Sequence, residues 1–340
     1  MKKFFLLLTI LFLGIITNAQ ELRTDISVHD PVMIKQDSTY YIFCTGRGIA
    51  EWSSTDMLHW KAEKPVFETA PQWAVDSISG FKNHVWAPDI SYYNGLYYLY
   101  YAVSAFGKNT SAIGLATSPT LHTGAADYHW TDHGMIIQSI PGKTNWNAID
   151  PNLITDKDGK PYLAFGSFWE GLKIVKLTKD RMHIDGSINN LPTIASRLKN
   201  KAANLPAVDG NPPDAGGNAI EAPFIYKKGK YFYLFASIDY CCKGPKSTYK
   251  MIIGRSKKLT GPYLDEKGTP MNEGGGTILL AGDKDWYGVG HNAVCNFNGV
   301  DYIIFHGYDA KDHGISKLRI EKLNWEDQWP VVVLNHPDNK

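Results

Sequence analysis

Ala148-Ile149-Asp150-Pro151-Asn152-Leu153-Ile154, then Asp158-Gly159, then Tyr162-Leu163-Ala164-Phe165: an acid, an apolar strand, a tight turn and an aromatic-rich strand. The unit also stands at His29-Asp30-Pro31-Val32-Met33-Ile34, followed by Gln36-Asp37-Ser38 and Tyr40-Tyr41-Ile42-Phe43. It returns at Trp86-Ala87-Pro88-Asp89-Ile90, with Asn94-Gly95 and Tyr97-Tyr98-Leu99-Tyr100-Tyr101. A fourth copy is Ala219-Ile220-Glu221-Ala222-Pro223-Phe224-Ile225, with Lys228-Gly229 and Tyr231-Phe232-Tyr233-Leu234-Phe235. The fifth is Gly290-His291-Asn292-Ala293-Val294-Cys295, with Asn298-Gly299 and Tyr302-Ile303-Ile304-Phe305. Asn-Gly and Asp-Gly between such strands mark hairpins, because both turn residues must take positive φ.

Five copies spaced by roughly 60 to 70 residues suggest one four-stranded sheet plus loops per copy. Third strands are legible at Ile113-Gly114-Leu115-Ala116, Leu172 to Leu177, Met251 to Gly254 and Ile315 to Leu318, and outer strands near Trp60 and Trp130. The expected fold is all-β: a single-domain, five-bladed β-propeller over residues 20–340. The stretch from Asn200 to Asn218, rich in Ala, Pro, Gly and Asn, reads as a long loop before the fourth blade.

The chain begins with Lys2-Lys3, an apolar run from Phe4 to Ile16, and the small residues Thr17-Asn18-Ala19. That order is the one an export signal needs, so residues 1–19 are expected to be a signal peptide and the mature protein periplasmic or extracellular. The run is short for a membrane span, and no later stretch approaches the ~20 apolar residues such a span requires. Net charge is +1, with acids and bases scattered, so no electrostatic feature favours nucleic acid or an anionic membrane. A neutral partner and a monomeric state are expected. The 10 Trp and 19 Tyr include candidates for stacking on sugar rings. Cys44, Cys241, Cys242 and Cys295 are read as buried or reduced thiols, with a vicinal bridge between the adjacent Cys241 and Cys242 as the alternative, and the absence of a CxxC pair speaks against structural zinc.

The innermost strand of each propeller blade lines the central channel, so residues at its start gather around the axis. The repeat is expected to place Asp30, Asp89, Asp150, Glu221 and Asn292 there at equivalent positions. Four converging carboxylates oppose stability, since like charges disfavour one another's ionised form, and so they point to function. Glycoside hydrolysis needs such a set: one carboxyl protonates the departing oxygen and another activates water. Glu221, with the longer side chain among Ile220, Ala222 and Pro223, suits the acid. Asp30, beside His29, suits the base, with Asp150 as the acid's like-charged neighbour.

On these residues the chain resembles glycoside hydrolase family 43, and within it the endo-α-1,5-L-arabinanases. The resemblance is carried by His29-Asp30-Pro31, Trp86-Ala87-Pro88-Asp89, Asn147 to Pro151, Phe165-Gly166-Ser167-Phe168-Trp169, Ala219 to Pro223, Asp239 to Gly244 and Gly288 to Asn292. It implies an inverting mechanism with Asp30 as base, Glu221 as acid and Asp150 as modulator, acting on arabinan or the arabinan side chains of pectin. It further implies that Asn147, Gly107, Ser167 and Phe168 contact the sugar, with Trp86 and Trp169 as stacking platforms. His291 resembles the family's ligand for a central metal, usually calcium, largely completed by water; a satisfied channel histidine is the alternative, since calcium prefers oxygen. Competing readings are an exo-acting α-L-arabinofuranosidase or β-xylosidase of the same fold, and a non-catalytic carbohydrate-binding propeller.

Overall fold

The computed structural model describes residues 25–197, 218–332 and 334. The expected signal peptide and residues 200–217 of the expected loop lie outside these.

The first blade runs β1 (Val32–Gln36), β2 (Thr39–Cys44), β4 (Ala50–Ser54) and β5 (Lys61–Ala62), while β3 (Gly46–Arg47) joins the next sheet. After a short helix, α1 (Gln72–Ser77), the second blade follows as β6 (His84–Tyr93), β7 (Leu96–Val103), β8 (Ser111–Ser118) and β9 (Thr131–Ser139). The third is β10 (Asn152–Thr155), β11 (Pro161–Phe165), β12 (Leu172–Lys176) and β13 (Thr193–Ala195). The fourth is β14 (Ile220–Lys228), β15 (Tyr231–Ile238), β16 (Lys250–Ser256) and β17 (Thr277–Ala281). The fifth is β18 (Trp286–Phe297), β19 (Val300–Asp309), β20 (Ile315–Glu326) and β21 (Trp329–Val332). Every pairing within a blade is antiparallel, and Asn94-Gly95 and Asn298-Gly299 turn with positive φ at both residues. The five-bladed propeller expected from the repeat is the observed fold.

The aromatic second strands explain how the blades pack. Successive side chains point to opposite faces, and here both faces are covered by neighbouring blades. Tyr98 and Tyr100 pack toward Leu163 and Phe165 of the third blade, while Leu99 and Tyr101 pack toward Tyr41 and Phe43 of the first. Ala164 and Ile174 meet Leu234 and Ala236 across the next seam, and Tyr233 and Phe235 meet Ile303 and Phe305 across the fourth. The last seam closes the ring: Ile304, Leu318 and Ile320 of the fifth blade pack on Tyr40, Ile42 and Cys44 of the first. Each blade draws its four main strands from one stretch of chain, interrupted only by β3 in the first, so this apolar seam, with the Ser27–Lys317 bridge and Leu318 donating its N–H to Ile26, seals the ring.

The start of each inner strand is bent. Asp30, Ala87, Asp150, Ala222 and His291 have φ of 53, 43, 56, 55 and 53°, a left-handed conformation that non-glycine residues seldom adopt. Breaks in register follow at Trp86/Asp89, Glu221/Phe224 and Gly290/Ala293. The structurally equivalent positions are therefore these five. This corrects the expected ring of Asp30, Asp89, Asp150, Glu221 and Asn292: Glu221 precedes the bend by one residue, Asn292 follows it by one, and Asp89 lies two beyond.

Candidate active site

Asp30, the residue at the first bend, is nine-tenths buried and surrounded by donors. His29 Nδ1 and His291 Nδ1 each lie 2.9 Å from Oδ1, and the Thr45 hydroxyl donates to Oδ2 at 2.6 Å. Thr45 in turn accepts the Ala87 N–H at 2.8 Å, which ties the carboxylate to the entry of the second blade. Burial opposes the Asp30 anion, but His29 and His291 outweigh it and hold the carboxyl well below its ordinary range. Burial would lower His291 too, yet Asp30 first, then Asp150 and Glu221, lift it to about 9.

Behind this pair stand two residues the sequence reading passed over. His306, in β19, accepts the Asp30 N–H at Nδ1 (3.1 Å) and stacks on His29 with ring centroids 3.9 Å apart. Burial, then His29, keep His306 neutral, consistent with its role as acceptor. The Tyr308 hydroxyl meets His29 Nε2 at 2.8 Å. A histidine on the aromatic-rich strand next to the inner one was a usable clue; one tyrosine among 19 was not.

Glu221 is placed by the loop Gly166-Ser167-Phe168-Trp169 at the end of β11. Ser167 forms a β-bridge with Glu221 and its hydroxyl donates to Oε2 at 2.8 Å, while Phe168 N–H donates to the Ile220 carbonyl. The other oxygen, Oε1, accepts from the Tyr249 hydroxyl at 2.7 Å. Tyr249 is another residue with no sequence signal. Burial, then Glu221, raise its phenol well above the usual range, so it remains a donor. The reason for Gly290 also becomes visible: a Cβ there would lie 2.2 Å from the Tyr249 ring.

Asp150 accepts the N–H of Ala222, the residue after Glu221, at 3.1 Å. Burial pushes its carboxyl up to about 8, with Glu221 and Asp30 adding and His291 opposing. Asp150 thus feels the charge of two acids distant from it in sequence.

Of the remaining candidates, Asn147 is buried, its Oδ1 accepting from Ser111 at 2.7 Å. Phe168 and Trp169 pack with Ala219, and Asn218 fixes Trp169 by donating to its carbonyl. Trp86 is half-buried with Nε1 donating to His84, and Gly107 lies in the turn after Ala105, φ 75°. Asp89 is elsewhere: it accepts from Asn152 Nδ2 and Leu153 N–H, joining the second blade to the third, and burial raises it to about 7. Asn292 is buried, and neither of its amide atoms has a hydrogen-bond partner among the described residues.

Of the two readings of the adjacent cysteines, the bridge is the one observed. Cys241 and Cys242 are joined as a disulfide between adjacent residues, whereas Cys44 and Cys295 are free.

As to calcium, His291 spends Nδ1 on Asp30 and has Nε2 left for a second partner. Among the described residues, the groups able to gather three ligand atoms are His29–Asp30–His306 and His29–Cys241–Cys242, and neither includes His291. Calcium takes six to eight oxygens. The residues present therefore fit only an ion held chiefly through water, and the unpaired amide of Asn292 marks polar buried surface of the kind that ordered water satisfies.

Residues 24–330 match Glycosyl hydrolases family 43. The chain is 46% identical to an extracellular exo-α-(1→5)-L-arabinofuranosidase of Cellvibrio japonicus over 90% of its own length and 86% of the relative's. It is equally 46% identical to an extracellular endo-α-(1→5)-L-arabinanase of Bacillus subtilis, over 89% and 87%. The solved structure of a Cellvibrio cellulosa α-L-arabinanase complexed with arabinohexaose superimposes with a TM-score of 0.86 at 45% identity, covering 92% of this chain and 96% of that one. The match over nearly all the described propeller shows that the chain belongs to glycosyl hydrolase family 43 and is a glycosidase.

Proposed function

We propose that the protein hydrolyses α-1,5-linked L-arabinofuranosyl bonds within arabinan by single-step inversion. The observation that carries this is the pairing of two differently held acids: Asp30, kept ionised by His29 and His291, and Glu221, whose carboxyl the Ser167 and Tyr249 hydroxyls orient. A base and a proton donor facing one site are what inversion requires.

In this reading Asp30 takes a proton from water as the water attacks the anomeric carbon, and Glu221 delivers its proton to the departing oxygen. Ser167 and Tyr249 aim the Glu221 carboxyl, and Asp150, fastened to the Ala222 N–H, sits beside it as modulator. Asn147 offers its Nδ2 to a sugar hydroxyl, and Trp86, Gly107, Phe168 and Trp169 line the binding groove. A cation at His291 Nε2 would add positive charge beside Asp30. Chelation with calcium add-back reads that site: thermal stability or activity should fall and recover, and indifference to both removes the ion.

Two relatives named extracellular support an exported protein, and no helix among the described residues is long and apolar enough to cross a membrane. Glu221→Gln should reduce turnover of linear arabinan by at least the roughly 10²–10⁴-fold expected for a general catalyst. A variant as active as the parent overturns the assignment. Products sampled from the first minutes decide the mode: mixed oligomers for endo action, a single small product for exo. Exo action has its own support in the Cellvibrio japonicus relative. The anomeric form of the first product, followed by NMR, tests inversion.

A further inference from the structure

The disulfide lies against the catalytic base's own histidine. Cys242 Sγ is 3.8 Å from His29 Nε2, and the three possible ligand atoms, His29 Nε2, Cys241 Sγ and Cys242 Sγ, lie within 4.8 Å of one another. Cys242 N–H donates to the Tyr308 hydroxyl at 2.7 Å, and that hydroxyl meets the same His29 nitrogen. Cys242 is exposed and Cys241 half-buried, so a small thiol can reach the bridge. While the sulfurs are joined they offer no thiolate, and His29 remains with Tyr308.

We propose that reduction of the Cys241–Cys242 bridge creates a soft-metal site, with Cys241, Cys242 and His29 as ligands. Two equivalents of a small thiol reduce the disulfide, giving two protein thiols and the thiol's own disulfide. A divalent ion such as Zn²⁺ or Cd²⁺ then displaces the two thiol protons and takes the lone pair of His29 Nε2. Two thiolates and one imidazole are a set such ions favour over calcium or magnesium. Loading the site moves His29 from Tyr308 to the metal while its Nδ1 still faces Asp30, so the ion also suppresses hydrolysis. That last consequence rests on Asp30 being the base; the binding itself does not.

The test is Cd²⁺ titration of the full chain, before and after treatment with dithiothreitol and removal of the reductant, followed by ultraviolet thiolate-to-cadmium absorption. One Cd²⁺ per chain should give that absorption only after reduction, and Cys241→Ser and Cys242→Ser should each weaken it strongly. His29→Gln should keep the thiolate absorption but lower the affinity by an order of magnitude or more. Cys44 and Cys295 are free in both states, so absorption without reduction, or absorption undiminished in the serine variants, would overturn the proposal. So would reduced thiols that take up no Cd²⁺, or a bridge that dithiothreitol leaves intact in the folded protein. Loss of arabinan hydrolysis on Cd²⁺ loading, reversed by a chelator, reads the effect on Asp30. Binding without that loss keeps the metal site and removes only its link to the base.

Discussion

At the scale of single residues, function depends on side chains that hold other side chains. Tyr249 reaches Glu221 only because Gly290 has no Cβ. Gly290 has no positive φ, so alanine there is a purely steric insult. Gly290→Ala should push the phenol away and lower kcat by roughly 10–100-fold, while overpacking costs about 1–3 kcal/mol of stability. Tyr249→Phe is the comparator, since it removes the same hydrogen bond without a clash; both are read as kcat against KM on linear arabinan. The acids predict the pH profile. Asp30, held low by its histidines, keeps the base ionised well into the acid range, so the acid limb lies below the ordinary carboxylate range. Asp150, raised to about 8 by burial and then by Glu221 and Asp30, places the alkaline limb near 8. With Asp150→Asn the last proton is no longer shared with a like charge. The alkaline limb of kcat/KM should move to lower pH, by about one unit or more; an unmoved limb would refute the modulator role.

At the scale of the strand, β4 carries a group that opposes folding. Glu51 faces Phe43 across the pairing with β2 and is almost fully buried; among the described residues its carboxyl has only a long contact from Tyr128 at 3.3 Å, with Oε1 unpaired. Burial raises its carboxyl to about 8. In the unfolded chain the acid ionises above about 4.5, while in the fold it stays protonated to about 8. The unfolded state thus binds fewer protons across that window, and stability declines as pH rises through it. Glu51→Gln removes the slope. It should stabilise the protein by roughly 1–3 kcal/mol at pH 8, with the gain shrinking toward pH 4.5. Melting curves at the two pH values measure it. The strand scale is also where the repeat misled: its chemical pattern aligned Asp89 with Asp30, but the bulges displace one against the other. A bulge adds a residue without a distinctive composition, so a sequence pattern does not reveal it.

At the scale of the whole molecule, five apolar seams join five blades, and the last of them converts a row into a ring. Ile42 is fully buried in that seam between the first and fifth blades. Ile42→Ala should cost about 2–5 kcal/mol. Because the seam locks the first blade to the last, denaturant should still unfold the variant in one transition at a lower midpoint. Two separated transitions would show that the blades do not depend on closure.

The amino-acid order by itself determined the blade count and the hairpin turns, and singled out the acids Asp30, Asp150 and Glu221. Alternating apolar strands and Asn-Gly turns are local chemistry, repeated often enough to be legible along the chain. Tertiary structure alone decided that Asp89 ties the second blade to the third, which hydroxyls and imidazoles hold Asp30 and Glu221, and that Cys241–Cys242 lies against His29. Those relations join residues up to 279 positions apart. They exist only once the ring closes, because proximity around a shared axis is a property of the fold and leaves no trace in local sequence.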